Sequence, residues 1–117
     1  MEFSTGEFLR GTLKTIVLKL LAEKGRMYGY EITQAVKERT SGEITLTFGA
    51  LYPVLHKLEQ DGFLQTESEE VEGRLRKYYA LTSTGQQSAR QKMADFMHFM
   101  NLMNRLLQTP TTLATQS

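Results

Sequence analysis

Two short alternating runs, Phe63 to Ser68 and Leu75 to Leu81, constrain this chain more than any other feature. They flank a polar stretch, Glu69-Glu70-Val71-Glu72-Gly73-Arg74, and predict a β-hairpin with a loop longer than the tightest class. A lone hairpin is marginal in water, so this one must pack against helices. Along the return strand Tyr79 and Leu81 alternate with Arg76, Tyr78 and Ala80, which turns Tyr79 and Leu81 toward the core and Arg76 and Tyr78 outward.

Helical patterns lie on both sides of the hairpin. Ser4-Thr5-Gly6-Glu7 has capping-box spacing, with Phe3 and Phe8 at the hydrophobic-staple positions. From there Leu9, Leu13, Ile16, Val17, Leu20 and Leu21 recur at helical spacing until Gly25, where a helix stop is expected. A second helix fits Tyr30 to Arg39, with Ile32, Ala35 and Val36 inward, and ends in the turn Thr40-Ser41-Gly42. A third runs from near Thr47 to Gln60, its apolar side formed by Leu51, Val54, Leu55 and Leu58, and Asp61-Gly62 closes it. After the hairpin, a helix starting at Thr82 or Thr84 should run to Gln108.

That last helix has an unusual apolar face. Met93, Met97, Met100 and Met103 are four of the chain's 6 methionines. At about 100° per residue they share a side with Phe96 and Leu107, while Phe99, Leu102 and Leu106 widen the arc past half the circumference. A small domain cannot cover so wide an arc, so a partner helix is expected. Met93, Met97, Met100, Asn104 and Leu107 follow a 4-3-4-3 seam in which Asn104 would fix register. The same soft surface, with Phe8, Leu13 and Val17 of the first helix and Leu18 at its edge, would serve either plain dimer packing or an effector pocket between subunits.

Helix, helix, helix, hairpin and long helix is the order of a winged helix-turn-helix: mainly α with a small β-hairpin, extended by a C-terminal dimerisation helix. The expected organisation is a DNA-binding domain over residues 4–81, a dimerisation helix over 82–108 and a disordered tail over 109–117. In such a fold the third helix enters the major groove and the wing touches backbone or minor groove. The face opposite Leu51 and Leu55 carries Gly49, Tyr52, Pro53, His56 and Lys57, and Thr45 and Thr47 precede it where hydroxyls bond phosphate oxygens. Tyr52 and Pro53 either meet bases or shape the start of the helix. Tyr28, Tyr30, Tyr78 and Tyr79 read as core or wing-support rings.

Composition narrows the function without choosing it. A net charge of +1 and a pI near 8.0 announce no nucleic acid, so the case rests on where charges sit. In the wing, Arg74, Arg76 and Lys77 form the densest basic cluster, but Glu67, Glu69, Glu70 and Glu72 oppose it. The cluster counts toward phosphate binding only if the acids point elsewhere. Cysteine is absent, which excludes thiol chemistry and Cys-based metal sites, and His56 and His98 lie far apart, so no metal or cofactor is expected. No nucleophile elbow, phosphate loop or HExxH motif occurs, so no enzymatic activity is expected. The chain shows neither the ~20-residue apolar run of a membrane span nor a signal peptide at Met1 to Arg10; a cytoplasmic protein is expected.

Combined motifs then point to one family. Tyr28-Gly29-Tyr30-Glu31-Ile32, Gly49-Ala50-Leu51-Tyr52-Pro53-Val54-Leu55, Leu58-Glu59, Gly62-Phe63-Leu64, Arg76-Lys77-Tyr78-Tyr79-Ala80-Leu81-Thr82 and Gly85 together resemble the PadR family of bacterial transcriptional regulators, over roughly Leu13 to Gly85. The single C-terminal helix resembles its short subfamily. The resemblance implies a homodimer that represses a nearby promoter and is often released by a small aromatic or drug-like effector near the dimer interface; a C2 dimer with two recognition helices would in turn meet a pseudo-palindromic operator in double-stranded DNA. Trp is 0, so a flat effector would stack on Phe or Tyr. The competing expectation is a winged-helix protein-interaction module, for which the acidic wing argues.

Overall fold

Leucines and valines of the first helix decide where the core lies. The computed structural model describes residues 5–108; the Ser4 cap, the Phe3 staple and the tail at 109–117 fall outside the described residues. In α1 (Thr5–Lys24), Val17, Leu18 and Leu21 are at most 1% exposed, so this helix is wrapped by the others. Gly25, at φ 88°, ends it with its N–H on the Leu21 carbonyl. A short strand absent from the sequence reading follows, β1 (Arg26–Tyr28), which buries Met27.

Next comes α2 (Gly29–Arg39), with Ile32 and Val36 turned into the core. The Glu31 carboxylate accepts the Tyr28 backbone N–H at 3.1 Å and so closes the start of the helix. At its end the Thr40 hydroxyl donates to the Val36 carbonyl at 2.8 Å and accepts the Ile44 N–H at 3.0 Å, ordering the turn that leads to α3 (Phe48–Gln60). Thr47 caps α3 by accepting the Ala50 N–H at 3.1 Å. Leu51, Leu55 and Leu58 are fully buried beneath it.

Strands β2 (Leu64–Val71) and β3 (Arg74–Leu81) form the hairpin, and the antiparallel sheet has the order β1-β3-β2. The turn corrects the expected long loop. Val71 pairs with Arg74, leaving two residues, Glu72 and Gly73, at φ 51° and 79°. Positive φ at both positions is the geometry that matches strand twist, so the strands zip to the tip. Tyr79 and Leu81 are buried, as the alternation required.

Finally α4 (Ser83–Leu107) leaves the domain. Thr82, not Thr84, is its cap: the Thr82 hydroxyl accepts the Gly85 N–H at 3.0 Å and donates to the Gly62 carbonyl at 2.7 Å. Of its 25 residues only Gly85 and Ala89 are buried, and α4 packs along α1 before running on into solvent, stretching the molecule to 67 × 33 × 20 Å. Among the described residues no helix is long and apolar enough to cross a membrane.

Placement of the first helix corrects part of the expected apolar interface. Leu13 and Val17 are 5% and 0% exposed inside the core, and Leu18 is buried with them, so none is offered to a second molecule. Their spacing showed an apolar face but not that α3, α4 and the sheet would enclose it. Phe8 is exposed instead.

Candidate nucleic-acid interface

The outward side of α3 carries every residue assigned to it in the sequence. Thr45, Thr47, Gly49, Tyr52, Pro53, His56 and Lys57 are all exposed, on the side away from Leu51, Leu55 and Leu58. Pro53 lies inside the helix and has no N–H, so the Gly49 carbonyl loses its usual donor on this face. Lys57 pairs with Asp61 at 3.2 Å, an exposed i,i+4 contact weak enough to yield to a phosphate.

Tyr52 joins this face to the start of α2. Its ring lies 5.6 Å from that of Phe48, a second exposed aromatic that the sequence reading passed over. Its hydroxyl reaches so close to Gly29 that a Cβ there would sit 2.7 Å away, so a larger residue at 29 would push the Tyr52 ring aside. Tyr52 thus presents an exposed ring while its hydroxyl touches the start of α2.

Beside α3 the wing leans over a shared cleft. Tyr28, Gly29 and Tyr52 line it on one side, and Glu72, Arg74, Leu75, Arg76 and Lys77 on the other. Three cations face one carboxylate there, so the cleft is basic although the whole wing is not. Lys77 reaches Glu59 at only 3.7 Å, and Leu75 is 76% exposed, an apolar side chain between basic neighbours.

Strand alternation puts Glu70 opposite Leu75, on the sheet face of Lys77, and the other two acids on the opposite face. Gln65, Glu67, Glu69 and Val71 lie opposite Ala80, Tyr78, Arg76 and Arg74 on one sheet face. On that face Arg26 of β1 spans β3: its guanidinium lies 4.1 Å over the Tyr78 ring, bonds Glu69 at 2.6 Å and also bonds Glu67. Those hydrogen bonds, Glu69 first, push the Arg26 pKa upward. Arg76 lies 4.1 Å over the Tyr28 ring, and Tyr28 meets Tyr78 edge-on at 5.5 Å. The tyrosines thus support the wing.

Away from this face, α4 and α1 border two apolar grooves. Phe96, Phe99, Met100, Met103 and Asn104 line one against Phe8 and Gly11; Met93, Phe96, Met97 and Met100 line the other against Ile16, Leu20, Val36 and Ile44. Met97 and Met100 are 50% and 41% exposed, and Leu107 at 75% projects beyond both grooves. The grooves join the expected methionines but exclude Leu13 and Val17. No cluster of metal-ligating side chains occurs among the described residues.

Three helices with an outward third, a hairpin wing and a long terminal helix define a winged helix-turn-helix regulator. The chain belongs to the PadR family: it matches the transcriptional regulator PadR-like family over residues 17–91. It is 35% identical over 79 residues to the transcriptional regulator Rv3488 of Mycobacterium tuberculosis, covering 68% of this chain and 70% of that one. In structure it is similar to a transcriptional regulator from Clostridium thermocellum, with TM-score 0.78 and 30% identity over 86% of this chain and 97% of that one. A PadR family transcriptional regulator from Eggerthella lenta gives TM-score 0.76 and 30% identity over 89% and 88%. The protein is a transcriptional regulator, and regulators of this family are not enzymes.

Proposed function

We propose that the protein is a sequence-specific DNA-binding repressor acting as a homodimer on a pseudo-palindromic operator near the promoter it controls. One observation carries this reading: Tyr52, on the exposed face of α3, and the wing cations Arg74, Arg76 and Lys77 line a single cleft. Tyr52, His56 and Lys57 read base edges, with the Gly49 carbonyl exposed beside Pro53; Thr45 and Thr47 bond phosphate at the start of α3. Arg74, Arg76 and Lys77 neutralise backbone charge.

Residues 82–108 serve as the dimerisation helix, and residues up to 81 as the DNA-binding domain. The support is the length of α4 left uncovered, with Met97, Phe99, Met100, Leu106 and Leu107 all more than 40% exposed. A second α4 along the Met93, Met97, Met100, Asn104 seam covers that face. Two recognition helices then meet half-sites about one helical turn, ~34 Å, apart. A small aromatic effector fits the Met- and Phe-lined grooves beside α4, where its binding shifts the balance between dimer geometries.

Fluorescence anisotropy of the purified protein with DNA from upstream of its own gene, against scrambled DNA across a salt titration, tests the reading. Preferential binding with a steep negative salt slope is expected. Equal binding of both DNAs would refute sequence-specific repression, and no binding by a dimeric protein at low salt would favour a protein-interaction module.

A further inference from the structure

Glu69 stands directly opposite Arg76 in the β2–β3 register. Opposite charges at facing positions have Cβ atoms about 5 Å apart and ordinarily pair. Here they do not. Glu69 is held at 2.6 Å by Arg26, which lies on the far side of β3, and the same guanidinium bonds Glu67. Arg76 turns the other way, onto the Tyr28 ring at 4.1 Å, and forms no salt bridge among the described residues. The Tyr78 ring, 4.1 Å beneath Arg26, carries that side chain across the middle strand.

We propose that Arg26 is a positioning residue for DNA binding: by holding Glu69 and Glu67 from across the sheet, it keeps Glu69 off Arg76 and leaves the Arg76 guanidinium available to a phosphate. This rests on the DNA-binding reading above. Two of the wing's four acids are held by one arginine outside the hairpin, which offsets one of their two charges, and the direct neighbour of the critical cation is one of them. Without Arg26, Arg76 is the nearest cation across the strand from Glu69.

The test uses the full chain as Arg26→Ala, Glu69→Gln and the double variant, with Arg26→Gln in parallel in case the alanine variant melts early. In the protein without DNA, arginine side-chain Nε–H resonances are read by nitrogen-15 NMR. The Arg76 signal should move in Arg26→Ala and return in the double variant. In anisotropy titrations Arg26→Ala should flatten the salt slope by about 0.9 per wing, roughly eightfold in affinity at 0.1 M salt, and Glu69→Gln should restore it. An Arg76 signal unmoved by Arg26→Ala, or a binding loss that Glu69→Gln leaves in place, would overturn the proposal, the latter by making Arg26 a direct contact or a brace. If the wild type failed to bind DNA while the Arg76 signal moved and returned, the DNA-binding assignment would fall separately from the capture of Glu69.

Discussion

Gly85→Ala should loosen the joint between α4 and the rest of the domain. A Cβ at this position would lie 2.0 Å from the Phe63 carbonyl oxygen, 3.0 Å from its carbon and 3.3 Å from Leu81 Cδ2. The obstacle is backbone, and it is already committed, since the Phe63 carbonyl accepts the Thr82 N–H at 3.0 Å. Relief therefore requires a separation of roughly 1 Å in a packed interior, which costs about 1–3 kcal/mol. Loss of the Thr82 hydrogen bond adds about 1 kcal/mol, and the better helix propensity of alanine returns about 1 kcal/mol. The net is a destabilisation of about 2 kcal/mol, or on the order of 10 °C in Tm for a domain of this size. Circular dichroism melts at one fixed protein concentration read it, because a dimer's Tm depends on concentration. A variant melting within about 2 °C of the wild type would show that the joint yields without cost, contrary to the packing argument.

Four other variants probe separate parts of the molecule. Gly29→Ala meets only the mobile end of Tyr52, so it should leave the melt nearly unchanged yet reduce the ratio of operator to scrambled-DNA affinity; an unchanged ratio would remove Tyr52 from base recognition. Arg74→Ala combined with Lys77→Ala should flatten the salt slope by about 1.8 per wing on any DNA, and a change confined to operator DNA would contradict the phosphate role. Glu23, bonded to Arg39 at 2.7 Å and Lys19 at 3.3 Å, has its pKa held below the ordinary 4.5, chiefly by the Arg39 hydrogen bond. Its folded value is depressed, so its contribution to stability is present above pH 4.5 and is lost as pH falls through the folded value; Glu23→Gln should flatten Tm against pH in that acid range, and an unaltered acid limb would count against the pair. Met97→Glu with Met100→Glu should give monomers in sedimentation velocity, whereas an intact dimer would place the interface elsewhere.

Where periodicity was long, the sequence disclosed the fold. The buried sides of α2 and α3 and the inward turn of Tyr79 and Leu81 follow from spacing alone. What stayed hidden depends on partners distant in sequence. Strand β1 is three residues with no alternation to detect, and it exists because β3 offers an edge to Arg26, Met27 and Tyr28. Glu72 is not a customary positive-φ residue and carries no tight-turn signal, yet it takes φ 51° once the strands zip up to it. Leu13 and Val17 looked available because an apolar helix face does not say which molecule will cover it. Exposed positions on α3 were legible as the complement of its buried side. The pairing of Arg26 with Glu67 and Glu69 spans more than forty residues of sequence and carries no local signal.

Thr82 hydrogen-bonds the Gly62 and Phe63 carbonyls just beyond the end of α3, and it is also the cap of α4. Mechanically it is a pivot with a short arm and a long one. The long arm is α4, whose 25 residues extend about 37 Å, so each degree of tilt at Thr82 sweeps its far end by about 0.6 Å. The short arm is the last turn of α3. A displacement of several ångströms at the tip of α4 thus corresponds to a rotation of only a few degrees at Thr82, beside the end of α3.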